Sequence, residues 1–316
     1  MRKVFGIGET VLDIIFKNDQ PIGAVPGGSV FNSIISLGRC GVKASFISET
    51  GNDRVGQRII SFLQDNGVET DNVYVYPDSK SPLSLAFLND NNDAEYIFYK
   101  DHPSDRMEFV TPEVGKDDIV LFGSYYAVNP VIRPQVHGFL EHARSRGAIL
   151  YYDVNFRASH KDEVVKLTPN ILENLEMADI VRGSSEDFDV MFHKTDADGV
   201  YRSQIAFYTH NFIFTQGSQP VELRGEGGLK KQYPVAPFIS GEGLVSTIGA
   251  GDNFNAGFVY GLLRYGITRD HIEQGLTEQQ WDALIASAQM FSANVCQSLD
   301  NYVSMQFAEQ KRSEIV

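Results

Sequence analysis

Cysteine is scarce in this chain: the 316 residues include only two, Cys40 and Cys296. They lie far apart, in apolar stretches with a helical period, so buried free thiols are expected rather than a disulfide, and a reducing compartment is indicated. The seven histidines form no His-Glu-x-x-His motif, and no Cys-x-x-Cys pair accompanies them. The sequence therefore predicts no zinc site.

Long apolar runs and excess positive charge are also missing. No apolar run is long enough to span a bilayer, and residues 1–6 lead into a strand pattern without the apolar segment of a signal peptide. The 27 basic and 41 acidic residues give a formal net charge of −14, and the acids are spread along the chain. Such a surface argues against nucleic acid or an anionic membrane as a partner. A soluble, cytoplasmic protein is expected.

Two common nucleotide-binding motifs do not occur. The pair Gly6-x-Gly8 follows a predicted strand, but Val11 stands where a dinucleotide fingerprint needs its third glycine, and no helix follows. No Gly-x-x-x-x-Gly-Lys-Ser/Thr sequence is present either. If the protein handles phosphate, it does not use a P-loop.

Over most of the chain, predicted strands alternate with predicted helices. The strands fall near residues 4–8, 44–48, 73–76, 119–122, 148–153, 179–182 and 212–215, and the helices near 29–37, 53–66, 134–146, 169–176, 185–192, 200–209, 254–263 and 278–297. This order predicts an α/β fold with a mostly parallel sheet covered by helices on both faces. In such folds, ligands bind at the carboxyl ends of the strands.

Two segments interrupt this alternation. Alternating apolar residues near 11–26, together with two strands at 83–88 and 95–99 that form a hairpin, predict a small separate sheet. With no repeat or linker elsewhere, the sequence predicts a single α/β domain over residues 1–316, with a β-sheet lid contributed by about 11–26 and 83–100.

The most informative stretch is Gly249-Ala250-Gly251-Asp252, which opens a helix with apolar residues at helical spacing. The small residues let backbone N–H groups point together at an oxygen, and the helix start adds unpaired donors and a positive dipole end. Asp252 is then placed to take a proton from a hydroxyl that attacks a phosphate. A simple helix cap is the alternative interpretation of these residues.

A second glycine motif, Pro26-Gly27-Gly28-Ser29, precedes another predicted helix, with Asn32 one turn inside it. Paired glycines allow a ligand to approach the backbone closely, although a turn with a serine cap would have the same sequence. Further polar residues follow predicted strands at Asp153, Asn155 and Thr215. All these groups are expected at one edge of the sheet.

Taken together and in order, these motifs resemble the ribokinase-like (PfkB) carbohydrate kinases over nearly the whole chain. The resemblance is carried by Gly27-Gly28 with Asn32, Gly51-Asn52-Asp53-x-x-Gly56, Asp153-x-Asn155-x-Arg157, Thr215-x-Gly217 and Gly249-Ala250-Gly251-Asp252. It implies a ribokinase-like fold with a β-sheet lid, and ATP-dependent phosphorylation of a sugar hydroxyl with Mg²⁺.

The same resemblance implies roles for individual residues. The N–H groups of Gly249, Ala250 and Gly251 would form the anion hole, and Asp252 would be the base. The implied sugar site contains Asp13, Gly27, Gly28, Asn32 and Arg157, and the implied nucleotide site contains Thr215, Gly217, Thr247 and Asn294. Glu186 matches the acid that organises magnesium, and a homodimer through the lid is implied as well.

This sequence departs from the family pattern at two positions. Gly183 stands where the magnesium motif has asparagine, and Ser246 stands where most members have an aspartate tied to a monovalent cation. Glu242 or Asp300 is a candidate for supplying the missing charge. A non-catalytic relative that binds sugar or nucleotide is therefore an alternative to an active kinase.

The sequence does not decide which sugar is phosphorylated. Asp153-Val154-Asn155-Phe156-Arg157 resembles the fructokinase and 2-keto-3-deoxygluconate kinase branch, in which the arginine could pair with a carboxylate or with phosphate. Lys100 and Arg106 are further cations that could reach an anionic sugar. Ribokinase and nucleoside kinase activities remain alternatives.

Overall fold

A computed structural model describes residues 2–89, 94–99, 111–235 and 243–315. Its strands, in chain order, are β1 (Val4–Ile7), β2 (Val11–Lys17), β3 (Gln20–Gly27), β4 (Ala44–Gly51), β5 (Val68–Glu69), β6 (Val73–Tyr76), β7 (Leu83–Leu88), β8 (Ala94–Tyr99), β9 (Ile119–Gly123), β10 (Ile149–Asp153), β11 (Ile180–Ser184), β12 (Phe212–Thr215), β13 (Val221–Arg224) and β14 (Lys230–Tyr233).

The α-helices are α1 (Ser29–Arg39), α2 (Arg54–Asp65), α3 (Ser124–Val128), α4 (Arg133–Ser145), α5 (Val164–Met177), α6 (Ser185–Phe192), α7 (Ala197–Val200), α8 (Ala250–Arg264), α9 (Arg269–Glu273), α10 (Glu278–Val295) and α11 (Met305–Arg312). None of the helices in the described part of the chain is long and apolar enough to cross a membrane.

The central sheet has the strand order β14-β13-β12-β11-β10-β9-β1-β4-β5, with β6 paired to β4. All pairings from β12 to β5 are parallel, whereas β13 and β14 join antiparallel at one edge. The neighbouring residues Val4 and Phe5 are both fully buried but belong to two different hydrophobic clusters. Both faces of the sheet are therefore covered, and the predicted α/β fold class is confirmed.

The second sheet is small and separate, with the order β3-β2-β7-β8. Asp13 on β2 lies opposite Ser84 on β7, and Ser84 lies opposite Phe98 on β8, so these side chains share one face. This sheet comes from the two segments that the sequence predicted for a lid, except that Lys100 lies outside the described residues. The assignment of residues 1–316 to one domain stays a prediction.

Two predicted helices have different bounds in the structure. The helix predicted from residue 169 begins at Val164, with Pro169 inside it. Leu167 lies one turn before Ile171 and is fully buried, and this burial outweighs the backbone bond that proline cannot donate. The helix predicted at 200–209 is instead α7 followed by a π-helical turn that ends at Ile205. The helices α3, α9 and α11 were not predicted.

Both cysteines are buried free thiols, as expected. Burial raises the pKa of the Cys40 thiol to about 12. Such a thiol stays protonated and unreactive at neutral pH. The cysteines therefore serve packing rather than chemistry.

Candidate active site

Asp252 lies in the first turn of α8, and its carboxylate is held by two neutral donors from α1. Ser29 Oγ donates to one carboxylate oxygen at 2.7 Å, and Asn32 Nδ2 donates to the other at 2.8 Å. Ser33 Oγ donates to the backbone oxygen of Asp252, also at 2.7 Å. The two helices that begin at the glycine motifs are thus joined through this carboxylate.

The pKa of Asp252 is raised above the usual value of an aspartate. Burial is the main cause, and the negative charge of Asp153 adds to it, whereas the bonds from Ser29 and Asn32 and the charge of Arg157 act in the opposite direction. A carboxylate that has lost its water and gained only neutral donors is a better proton acceptor than one in solvent. These are the properties of a general base.

The turn before Asp252 requires glycine at Gly249, which caps α8 with a left-handed φ of 76°. A Cβ atom there would also lie 3.1 Å from the backbone oxygen of Asn301. The Ala250 N–H donates to Thr247 O at 3.2 Å, whereas the N–H groups of Gly249 and Gly251 have no acceptor within the described ranges. These two donors and the helix dipole favour an anion at this turn.

The small sheet brings a second carboxylate to the site. Asp13 accepts a short hydrogen bond from Ser84 Oγ, and a Cβ on Gly27 would lie 2.4 Å from Asp13 Oδ2. Burial, together with the charges of Glu9 and Asp252, raises the pKa of Asp13 to about 6. The influence of Asp252 shows that both carboxylates belong to one electrostatic environment.

The α1 start offers further room and one further acceptor. Gly28 has a φ of 132°, and a Cβ there would lie 2.3 Å from Glu9 O, so only glycine fits. Asn32 is buried, and its Oδ1 has no hydrogen-bond partner within the described ranges. An unpaired buried acceptor is costly unless a ligand hydroxyl satisfies it.

Tyr96 on β8 belongs to the site but was not predicted. Burial and the charges of Asp13 and Asp252 raise its pKa to about 12, while Arg157 acts in the opposite direction. Tyr96 lies opposite Ala86 on β7, two residues from Ser84, so its side chain, which is 39% exposed, shares the sheet face of Asp13. A tyrosine in an alternating strand gives no sequence signal of this kind, because either face of the strand would suit it.

Arg182, in the middle of β11, was also not predicted as a site residue. Its Nη1 pairs with Asp153 Oδ1 at 2.9 Å, and its Nη2 donates to Thr215 Oγ1 at 2.7 Å. A Cβ on Gly251 would lie 3.1 Å from Nη2, so the guanidinium lies against the anion turn. Thr215, which was predicted, is thus joined to the turn through Arg182.

Asn155 and Ser124 form a strained pair at the ends of β10 and β9. Both have left-handed backbones, with φ of 37° for Asn155 and 56° for Ser124. Asn155 Nδ2 donates to Ser124 Oγ at 2.5 Å. Strain of this kind concentrates at functional sites. Arg157, two residues further on, is exposed.

The other predicted nucleotide residues lie at the surface or have structural partners. Gly217 and Thr247 are exposed, and Asn294 Oδ1 accepts from the Ser304 N–H at 2.9 Å, which connects α10 to the start of α11. The described contacts place none of these three against Asp252.

Glu186 is exposed in the first turn of α6, whereas its neighbour Asp187 is buried and forms a capping box with Ser184. Gly183 precedes this box, and a Cβ there would lie 2.5 Å from the Phe188 ring. The aromatic ring therefore fills the space that an asparagine side chain would need. Within the described ranges, no group of three acidic, histidine or cysteine side chains is arranged for direct metal binding.

Ser246 is buried, and its hydroxyl accepts from the Ile248 N–H at 3.1 Å. It therefore shapes the approach to the anion turn. Asp300, a candidate for the missing charge, is exposed. The other candidate, Glu242, lies outside the described residues, as do Lys100 and Arg106.

Comparison with known proteins gives consistent matches. The family described as pfkB family carbohydrate kinase matches residues 1–305. A 5-dehydro-2-deoxygluconokinase of Geobacillus thermodenitrificans is 29% identical over 260 residues, which cover 75% of this chain and 72% of the relative.

Solved structures share the whole fold. An aminoimidazole riboside kinase from Salmonella enterica, complexed with aminoimidazole riboside and an ATP analog, superimposes with a TM-score of 0.80 at 20% identity over 100% of both chains. A fructokinase double mutant from Vibrio cholerae O395, with fructose, ADP and potassium ion bound, gives a TM-score of 0.82 at 17% identity over 100% of this chain and 99% of that one.

Proposed function

Because the chain belongs to the pfkB family of carbohydrate kinases, we propose that it transfers the γ-phosphoryl group of ATP to a hydroxyl of a sugar, with Asp252 as the base. The observation that carries this proposal is the Asp252 carboxylate, held by Ser29 and Asn32 beside the Gly249–Gly251 turn. Its raised pKa suits it to accept the hydroxyl proton as the oxygen attacks phosphorus.

The sugar binds, in this proposal, between the small sheet and the start of α1. Asp13 and Asn32 Oδ1 accept hydrogen bonds from its hydroxyls, and the latter gains the partner that it otherwise lacks. Gly27 and Gly28 leave the space that a side chain would occupy, and Tyr96 covers the sugar from the small sheet. This arrangement holds the attacking hydroxyl near Asp252.

The phosphate groups lie against the anion turn. Phosphoryl transfer depends mainly on positioning and on stabilising charge on the phosphate oxygens. The Gly249 and Gly251 N–H groups supply fixed donors for this charge. Thr215, Gly217, Thr247 and Asn294 are proposed to form the nucleotide side of the site, with Ala250 completing the turn.

The residues present offer one exposed carboxylate, that of Glu186, for a magnesium ion. The ion usually keeps several waters and needs only one or two protein carboxylates together with the phosphates. Glu186 is exposed at the start of α6 and would hold it through water, without help from residue 183. The ion, when bound, neutralises phosphate charge.

We propose a keto sugar or keto sugar acid as the acceptor. The sequence relative is named a 5-dehydro-2-deoxygluconokinase, and one structural relative is a fructokinase with fructose bound. The charge of Arg157, an exposed residue, acts on Asp252, which supports a role for this arginine in pairing with a substrate carboxylate or with phosphate.

A panel of sugars tests this function. ADP formation is measured with 5-dehydro-2-deoxygluconate, 2-keto-3-deoxygluconate, fructose, ribose and adenosine. We expect sugar-dependent turnover with at least one keto substrate. ATP and sugar binding without turnover would instead support a non-catalytic relative. If Arg157 binds a carboxylate, Arg157→Gln raises KM for the acid sugar much more than for fructose.

The small sheet also suggests a homodimer. On the face opposite Asp13, Ile97 and Tyr99 are 45% and 57% exposed, and apolar sheet surface favours association. We expect a dimer by light scattering at micromolar concentration, and a monomer for Ile97→Lys. Val165→Lys, at an 88% exposed apolar residue on α5, is the control and should leave the dimer intact. A wild-type monomer with sugar bound would contradict the proposal.

We also propose that the protein works in the cytoplasm. The two free, buried cysteines support a reducing compartment. Cell fractionation followed by immunodetection tests this location, and recovery outside the cytoplasmic fraction would contradict it.

A further inference from the structure

The buried guanidinium of Arg182 is the feature of the site that the proposed reaction does not yet use. The residue is 7% exposed, and its Nε–H has no hydrogen-bond partner within the described ranges. Burying a guanidinium with an unpaired N–H carries a large desolvation penalty. A buried cation at this place therefore calls for an explanation beyond packing.

The ion pair of Arg182 has a definite direction. A Cβ on Gly251 would lie 3.1 Å from Nη2 and 3.3 Å from Nη1, so the positive end faces the anion turn. The Asp153 carboxylate accepts hydrogen bonds from Arg182 Nη1 at 2.9 Å and from Asn255 Nδ2 at 2.8 Å. The side-chain oxygen of Asn255 in turn accepts a hydrogen bond from the Tyr151 hydroxyl at 3.0 Å. The negative end is thus held by groups in the core.

We propose that Arg182 is a positioning residue for phosphoryl transfer, which adds positive potential to the Gly249–Gly251 anion turn through its contact with Gly251. The proposal rests on the proposed kinase function and names a residue that acts through the turn rather than on the substrate. A fixed charge in a buried setting costs no reorganisation when charge develops on the phosphate. Its effect is stronger there than in water.

The test compares two variants that break the same ion pair from opposite ends. Arg182→Gln removes the cation, and Asp153→Asn removes the anion while leaving the cation in place. If the pair is only structural, both variants harm the site alike. If the cation serves the turn, Arg182→Gln weakens ADP binding by about tenfold or more, whereas Asp153→Asn leaves it unchanged or makes it tighter.

ADP affinity is measured by calorimetry without sugar, and thermal melting reports folding. Arg133→Gln is the matched control, because Arg133 is also 7% exposed and pairs with Glu173 away from the turn. It should leave ADP affinity within about threefold of wild type. If Arg182→Gln does not fold, Arg182→Gln/Asp153→Asn removes both charges of the ion pair and is compared with Asp153→Asn instead.

Equal losses in the Arg182→Gln and Asp153→Asn variants, or no loss in a folded Arg182→Gln variant, would overturn the proposal. Failure of the wild type to phosphorylate any sugar would defeat the proposed function, but it would leave the ADP comparison intact. The two failures are therefore distinguishable. Among folded variants, Arg182→Lys should retain most of the ADP affinity, because it keeps the charge.

Discussion

Asp252 and Asp153 are two buried carboxylates in neighbouring regions of the molecule, and they have opposite kinds of partner. The Asp252 carboxylate accepts hydrogen bonds from a hydroxyl and an amide of α1. The Asp153 carboxylate accepts hydrogen bonds from the guanidinium of Arg182 and from the side-chain amide of Asn255. The two are close enough that the charge of Asp153 contributes to the raised pKa of Asp252.

The hydrogen-bond partner of a buried carboxylate decides what that carboxylate can do. A guanidinium strongly favours the charged form and commits the carboxylate to an ion pair. Neutral donors orient a carboxylate but leave it able to accept a proton. We therefore assign chemistry to the Asp252 region, and support of the anion turn to the Asp153 region.

Removing the base gives the largest expected effect. Asp252→Asn should lower kcat by roughly 10²–10⁴-fold, the range for a lost general base. Because burial disfavours the charged form, the variant should melt at the wild-type temperature or above it. Steady-state kinetics and thermal melting check both statements. Near wild-type turnover in the folded variant would show that Asp252 is not the base.

The two regions also differ in how far the sequence predicted them. Asp252 was predicted because its motif is local: the turn, the acid and the helix lie within a few consecutive residues. Arg182 was not, because its partners Asp153 and Thr215 are 29 and 33 residues away and only the parallel pairing of strands brings them together. A single arginine within a strand carries no such information.

The strands were predicted well because buried parallel strands are continuous apolar runs, as β12 shows. Errors arose where packing overrides a local signal, as at Pro169 in α5. Tyr96 and Ser124 were missed because their relevance depends on the face of a strand or on backbone strain. Neither property can be read from residue type.

The next largest effect is expected in the pH dependence of kcat/KM. Asp13 is a third buried carboxylate of the site, and its pKa is raised to about 6. If its carboxylate accepts sugar hydroxyls, kcat/KM should fall by about tenfold per pH unit below pH 6, as that form is lost. Asp13→Asn should remove this limb of the profile while lowering activity at pH 7. If the Asp13→Asn variant keeps the fall in kcat/KM near pH 6, a group other than Asp13 is responsible for that fall.

As the pH rises, the free energy of unfolding should change in the opposite direction to kcat/KM. Between the ordinary aspartate pKa of 3.8 and about 6, the folded state holds the Asp13 proton more tightly than the unfolded state. The Asp13 contribution to the free energy of unfolding therefore falls as pH rises through this window. Urea denaturation at several pH values should show this decline in the wild type and a smaller decline in Asp13→Asn.

The Asp153 region is tightly packed, which Gly183→Asn tests. A Cβ there would meet the Phe188 ring at 2.5 Å, so the larger side chain should cost about 1–3 kcal/mol of the free energy of unfolding. Urea denaturation measures the loss, with Gly138→Ala as control, because a Cβ at Gly138 meets nothing within 4 Å. An unchanged or increased stability would show that this region has room for the asparagine.

Potassium should have the smallest effect. Ser246 offers a neutral oxygen that already accepts from Ile248 N–H, and ligand charge largely sets the affinity of hard cations, so activity should change by less than about twofold. Activity is titrated against potassium at constant ionic strength, with an inert organic cation as replacement. Activation of about tenfold or more at millimolar potassium would indicate a substitute acid, such as Glu242 or Asp300.

The most direct test of the Asp252 assignment is a single-turnover measurement with enzyme in excess over sugar and ATP saturating. Wild type and Asp252→Asn are compared with the best sugar of the panel, and sugar affinity is measured separately. We predict that the variant binds the sugar within about threefold of wild type and transfers phosphate at least about 100-fold more slowly. Equal transfer rates, or a loss explained entirely by weaker sugar binding, would contradict the role of Asp252 as the base.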